Sequence, residues 1–127
     1  MKIPAQYNSL MPYLIIPNAA AFVVFMKEVF GAREQVIVPR SENIIMHGEL
    51  RIGDAVIMFA DVTPEFEARP AGMFIYVENV ADTYIKAMKA GAVSVMEPIQ
   101  QPYGFTCGFK DAYGNDWWPT EAGPLPL

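Results

Sequence analysis

Ile16-Pro17-Asn18-Ala19 returns as Val77-Glu78-Asn79-Val80, 61 residues further along the chain. In each copy an apolar run ends, an asparagine stands where a helix N-cap belongs, and a periodic apolar stretch begins. The first copy opens a predicted strand and helix. Leu10–Ile16 is apolar, and Ala19–Phe30 carries Phe22, Val23, Met26, Val29 and Phe30 at spacings of three and four. Gly31 stops that helix, and its counterpart Gly91 lies 60 residues on. The hairpin Ile52-Gly53-Asp54 lies over Ala112-Tyr113-Gly114 at the same offset of 60. Caps, stops and turns in step at offsets of 61 and 60 define an internal duplication.

Each copy reads β-α-β-β-β. The first has strands at Leu10–Ile16, Val36–Val38, Ile44–Ile52 and Ala55–Ala60. Asp61–Ala71, with Pro64 and Pro70, reads as a linker whose charges Glu65, Glu67 and Arg69 are solvated. The second copy has a strand at Met73–Val77 and a helix at Val80–Ala90 capped by Asn79. Strands follow at Val93–Met96, Gly104–Lys110 and through Trp117-Trp118. The prediction is an α+β chain of 127 residues forming one domain, with modules at residues 10–60 and 72–120. Each copy is too small to bury its own sheet face, so the copies share a core or pair with another chain.

Composition narrows the function. Hydrophobic residues make up 53% and charged residues 18%, which excludes a disordered chain. A net charge of −5 makes a nucleic-acid partner a poor fit, because phosphate contacts need clustered Lys and Arg. Cys107 is the single cysteine, so no disulfide framework or Cys-rich zinc site is available. No apolar run approaches a membrane span, and the default expectation is a cytoplasmic protein with no membrane partner.

The motifs carry a family likeness. Phe25-Met26-Lys27-Glu28-Val29-Phe30-Gly31-Ala32, the stretch His47-Gly48-Glu49-Leu50-Arg51-Ile52-Gly53-Asp54 followed by Met58 and Asp61, and Asp111-Ala112-Tyr113-Gly114-Asn115-Asp116-Trp117 resemble the vicinal oxygen chelate superfamily. That superfamily includes glyoxalase I, bleomycin- and fosfomycin-resistance proteins and extradiol dioxygenases, and the middle stretch resembles its PhnB-like branch. The resemblance implies that paired modules form a curved, cup-like mixed sheet with helices on one face and a cavity on the other. It also implies metal ligands on the first and last strand of each half. Carried onto this chain, those positions are Met11, Met58, Gly72 and Trp118. None offers an imidazole or a carboxylate, so no metal and no cofactor are expected.

Strand alternation predicts which residues line the cup. On the first module these are Met11, Tyr13, Met58 and the polar stripe His47, Glu49 and Arg51; on the second, Phe74, Tyr76 and Trp118. Shifting this stripe, with Ile45 on the same face, by 60 adds Phe105, Cys107, Phe109 and Asp111. His47, the only histidine, reads either as a general base with Glu49 or as one half of a cross-strand hydrogen-bonded pair. Spaced two residues apart on a strand, the two side chains leave room for a small molecule or water between them. Cys107 reads as apolar filler. Trp118, with Phe74 and Phe105, reads equally as packing and as a stacking surface.

The expected function is metal-independent binding or sequestration of a small, flat or amphipathic organic molecule by a homodimer. The alternative is a lyase or isomerase that moves a proton with His47 and Glu49. A third reading is a ligand-free dimeric interaction module.

Overall fold

The computed structural model describes residues 1–126. The chain forms two compact units, one of residues Met1–Pro70 and one beginning at Ala71. The first contains β1 (Tyr13–Ile16), α1 (Ala19–Phe30), β2 (Arg33–Ser41), β3 (Ile44–Ile52) and β4 (Ala55–Asp61). The second contains β5 (Gly72–Tyr76), α2 (Val80–Lys89), β6 (Val93–Gln101), β7 (Gly104–Lys110) and β8 (Asp116–Thr120). The sheets are mixed, in the orders β1-β4-β3-β2 and β5-β8-β7-β6. The β-α-β-β-β duplication is thus present, and α1 spans the predicted residues. Two predicted strands are longer than the sequence suggests. β2 starts at Arg33, and β6 runs through Pro98 to Gln101. Both are edge strands, where a missing N–H costs no ladder bond.

In the first unit α1 covers one sheet face. Leu14, Ile16, Leu50 and Phe59 are buried there, and the Phe22 ring meets Phe59 edge-on at 5.3 Å. Gly48 sits opposite Phe59, and a Cβ at Gly48 would overlap that ring. The helix ends in Gly31, whose φ of 66° allows the N–H groups of Gly31 and Ala32 to bond back to the carbonyls of Lys27 and Met26.

The helix start differs from expectation. Asn18 adopts a left-handed conformation and its side chain makes no cap bond. The buried carboxylate of Asp61 takes that role, with Oδ1 accepting from Ala19 N at 2.9 Å and Oδ2 from Ile45 N at 2.7 Å. In the second unit Asn79 does cap α2 through Asp82 N, and Glu121 Oε2 accepts from Val80 N at 2.9 Å. Asp61 and Glu121 stand 60 residues apart, so the duplication extends to a carboxylate at the end of the last strand facing the helix N-terminus.

The second unit departs from the first at one turn. Arg51 pairs with Val56 across four intervening residues, whereas Lys110 pairs with Asp116 across five. Asp111 organises the longer turn. Its buried carboxylate accepts from Tyr113 N, Asn115 N, Asn115 Nδ2 and the Trp117 indole N–H, at 2.8 to 2.9 Å. Asn115 Oδ1 in turn accepts from Ala71 N. The extra residue moves β7 by one position against β8, which exchanges its two faces. Residues of β7 therefore correspond to those of β3 at an offset of 59, not 60.

Candidate functional site

β1, β3 and β4 set the site on the helix-free face of the first unit. Tyr13 pairs with Met58, and Met58 with Glu49, so these three share a face. His47 and Arg51 alternate with Glu49 on it. The Tyr13 hydroxyl lies 2.9 Å from His47 Nδ1, and His47 Nε2 lies 2.7 Å from Glu49 Oε2. The side chains of His47 and Glu49 bond directly, closing the room expected between them. The Tyr13 and His47 rings also stack, with centroids 5.6 Å apart and planes 28° from parallel.

Glu49 is the centre of the cluster and is only 3% exposed. Besides His47, it accepts from the Tyr7 hydroxyl at 2.8 and 3.0 Å and from Gln35 Nε2 at 3.0 Å. Burial by itself pushes its carboxyl up. The hydrogen bonds from Gln35, His47 and Tyr7, with the charge of His47, together outweigh burial and hold the carboxyl below its ordinary value. The same carboxylate acts on its neighbours. Its hydrogen bond, then burial and its charge, raise the Tyr7 hydroxyl, while burial and then its charge raise Tyr13.

Arg51 is held away from the Tyr13 end. Its Nε donates to Gln35 Oε1 at 3.3 Å and its Nη2 to the Gln6 carbonyl at 2.5 Å. Sequence reasoning missed Tyr7 and Gln35. Tyr7 lies in a segment without regular structure, and no pattern announces its contact 42 residues away. Gln35 would have been a candidate had β2 been read from Arg33.

The expected residues of the second unit do not share one face. Trp118 pairs with Phe74, and Tyr76 lies on the same face, its ring edge-on to Phe74 at 5.1 Å. Phe109 pairs with Trp117 instead, which places Phe105, Cys107 and Phe109 opposite Trp118. Ser94, the partner of Phe109, accepts a hydrogen bond from the Tyr84 hydroxyl of α2, so that face is the helix side. Cys107 is fully buried there, and burial pushes its thiol up to about 11. Asp111 belongs to the turn. With β7 shifted, Thr106, Gly108 and Lys110 stand where His47, Glu49 and Arg51 stand in the first unit. The Trp118 ring lies against Gly108, where any Cβ would overlap it. The indole thus fills the position that Glu49 occupies in the other copy.

Met11 precedes β1 and is partly exposed. Among the described residues no three His, Cys, Asp or Glu side chains converge as a metal cage. The positions that the resemblance assigns to metal ligands, Met11, Met58, Gly72 and Trp118, hold two thioethers, a glycine and an indole, a donor set that does not fit a hard divalent ion. No helix among the described residues is long and apolar enough to cross a membrane.

Two four-stranded mixed sheets, each backed by one helix, define the glyoxalase/bleomycin-resistance fold. The family model for the Glyoxalase/Bleomycin resistance protein/Dioxygenase superfamily matches residues 6–118, and the chain belongs to that superfamily. An uncharacterized protein of Mycobacterium bovis is 26% identical over 121 residues, covering 86% of this chain and 80% of its own. Among solved structures, TioX from Micromonospora sp. ML1 matches with a TM-score of 0.75 at 20% identity, over 91% of this chain and 99% of that one. TnmS3, an antibiotic binding protein from Streptomyces sp. CB03234, matches with a TM-score of 0.73 at 15% identity, over 97% and 99%. At these identities the structures share the fold.

Proposed function

We propose that this chain binds a small, flat organic molecule without a metal, on the helix-free sheet faces of its modules. The observation that carries the reading is the Trp118 indole lying over Gly108 beside Phe74, at a position that the family resemblance assigns to a metal ligand. An aromatic face there offers stacking in place of coordination. Exposed Phe74 and Tyr76 extend that surface, and Met58 beside Tyr13 gives the first module an adaptable wall. That TnmS3 is an antibiotic binding protein of the same fold adds support. The His47–Asp54 motif supports placement in the PhnB-like branch. The exposed apolar residues Val93, Val95 and Ile99 on edge strand β6 support a homodimer. A cytoplasmic location fits the single unpaired cysteine.

The test is a panel of planar aromatic compounds titrated against tryptophan fluorescence, with elemental analysis of untagged protein. Binders should quench wild type and weaken by about fivefold or more in Trp118→Ala. Trp117→Phe, on the helix side, should keep the signal. Stoichiometric metal, or binding indifferent to Trp118, would overturn the reading. A lyase or isomerase remains the second reading, because Tyr13, His47 and Glu49 form one continuous hydrogen-bonded chain.

A further inference from the structure

The chain of hydrogen bonds on the first module has one direction whenever the His47 ring is neutral. Glu49 is a buried carboxylate held ionised by three donating side chains, so it only accepts. His47 Nε2 must therefore carry a proton whether the ring is neutral or charged. In the neutral ring Nδ1 is then bare and can only accept, so the Tyr13 hydroxyl donates to it. Tyr13 is the outer end of the chain and 46% exposed, and with its proton given to His47 its oxygen has only lone pairs left to offer a ligand. Glu49 itself is closed to any ligand.

We propose that Tyr13 is the ligand-contacting end of a proton relay, and that this face takes a planar, weakly acidic hydroxyl compound, a phenol or enol, as its anion. The proposal rests on the reading that the helix-free face of the first module binds a small molecule. The ligand's hydroxyl donates to the Tyr13 oxygen. Its O–H bond breaks as a new O–H bond forms on Tyr13, and the original Tyr13 proton passes to His47 Nδ1. The products are a ligand anion accepting from Tyr13 and an imidazolium paired with Glu49. Protons balance within the complex, and no redox partner is needed. The stacked Tyr13 and His47 rings offer a flat surface suited to a planar ligand.

The surroundings keep the relay specific. The Tyr13 hydroxyl is raised above its ordinary value, so the residue rests as a neutral conduit rather than a tyrosinate. The groups around His47 are Tyr13 from β1, Glu49 on its own strand, and Tyr7 and Gln35 acting through Glu49. Val38, its partner on β2, carries no charge, and Arg51 is engaged by Gln35 and Gln6. Glu49 is thus a positioning residue, and Tyr13 and His47 are the groups that move the proton.

The probes are 4-nitrophenol, whose anion absorbs in the visible and whose acidity is close to that of imidazolium, and its methyl ether 4-nitroanisole, which has no proton to give. Binding is measured by equilibrium dialysis and absorbance at a pH where neutral 4-nitrophenol and neutral imidazole are both present, with the absorbance of free probe at that pH subtracted. The expected result is a visible band that appears on binding to wild type. Tyr13→Phe should lose the band and weaken 4-nitrophenol about tenfold, the loss of one charge-assisted hydrogen bond. The same substitution should change 4-nitroanisole by less than about twofold, because it removes no bond that probe makes. If both probes bind wild type but 4-nitrophenol stays neutral, or if Tyr13→Phe keeps the band, the relay is refuted while small-molecule binding stands. If neither probe binds, the assignment of this face as a binding surface fails, and the relay with it.

Discussion

Replacing Glu49 by Gln should reverse the polarity of the Tyr13–His47 hydrogen bond. In wild type every group around Glu49 donates to it: Tyr7 to both oxygens, Gln35 to Oε1 and His47 to Oε2. A glutamine places an NH2 against one of those donors in either orientation. Against Gln35 it meets another NH2, which cannot turn without abandoning the bond from Arg51 Nε to Gln35 Oε1. Against His47 the conflict resolves, because the ring can shift its proton to Nδ1 and accept at Nε2. Tyr13 must then accept from Nδ1 and point its own hydrogen outward. Three bonds to a charged acceptor become neutral ones, each losing roughly 0.5–1 kcal/mol, for about 2 kcal/mol in all. For a chain of this length that lowers Tm by about 8 °C, at roughly 4 °C per kcal/mol. Imidazole nitrogen NMR near neutral pH reads the tautomer directly: Nε2–H in wild type, Nδ1–H in Glu49→Gln. The folded carboxyl of Glu49 lies below its unfolded value. Its contribution is therefore complete above the unfolded pKa and is lost as pH falls through the folded one. The stability gap between the two proteins should close on acidification below about pH 4. A wild-type His47 carrying its proton on Nδ1, or a gap that widens in acid, would refute the reasoning.

Other perturbations follow from the same geometry. Asp61→Ala leaves the buried N–H groups of Ala19 and Ile45 without acceptors and should cost about 3 kcal/mol by urea denaturation; Glu121→Ala frees only Val80 N and should cost about 1 kcal/mol. Gly48→Ala forces a methyl group into the Phe59 ring and should cost roughly 1–3 kcal/mol. Gly72→Ala, with open space around it, should stay within about 0.5 kcal/mol, and equal losses at the two glycines would contradict the packing. Cys107, buried and with its thiol near 11, should resist iodoacetamide in the native state and react only on unfolding; rapid native alkylation would place it on an open face.

The duplication, the bounds of α1, the glycine stop after it and the tight first hairpin were legible in the sequence. Each rests on local chemistry: apolar periodicity, a left-handed glycine, a two-residue turn. The first module's stripe of His47, Glu49 and Arg51 was legible too, because alternation within one strand fixes a face without reference to the rest of the chain. Tertiary structure decided whatever depends on pairing. The cap of α1 is Asp61 rather than Asn18 because a buried carboxylate from another strand reaches the same N–H groups. One extra residue in the Asp111–Asn115 turn carries Phe105, Cys107 and Phe109 to the helix side, where a uniform offset of 60 cannot place them. Tyr7 and Gln35 meet Glu49 only through folding, since hydrogen bonds across 42 and 14 residues of chain leave no periodic trace in the sequence. A sequence therefore determines the parity of each strand, while the register between strands, set by turn length and long-range packing, determines which parities meet in one site.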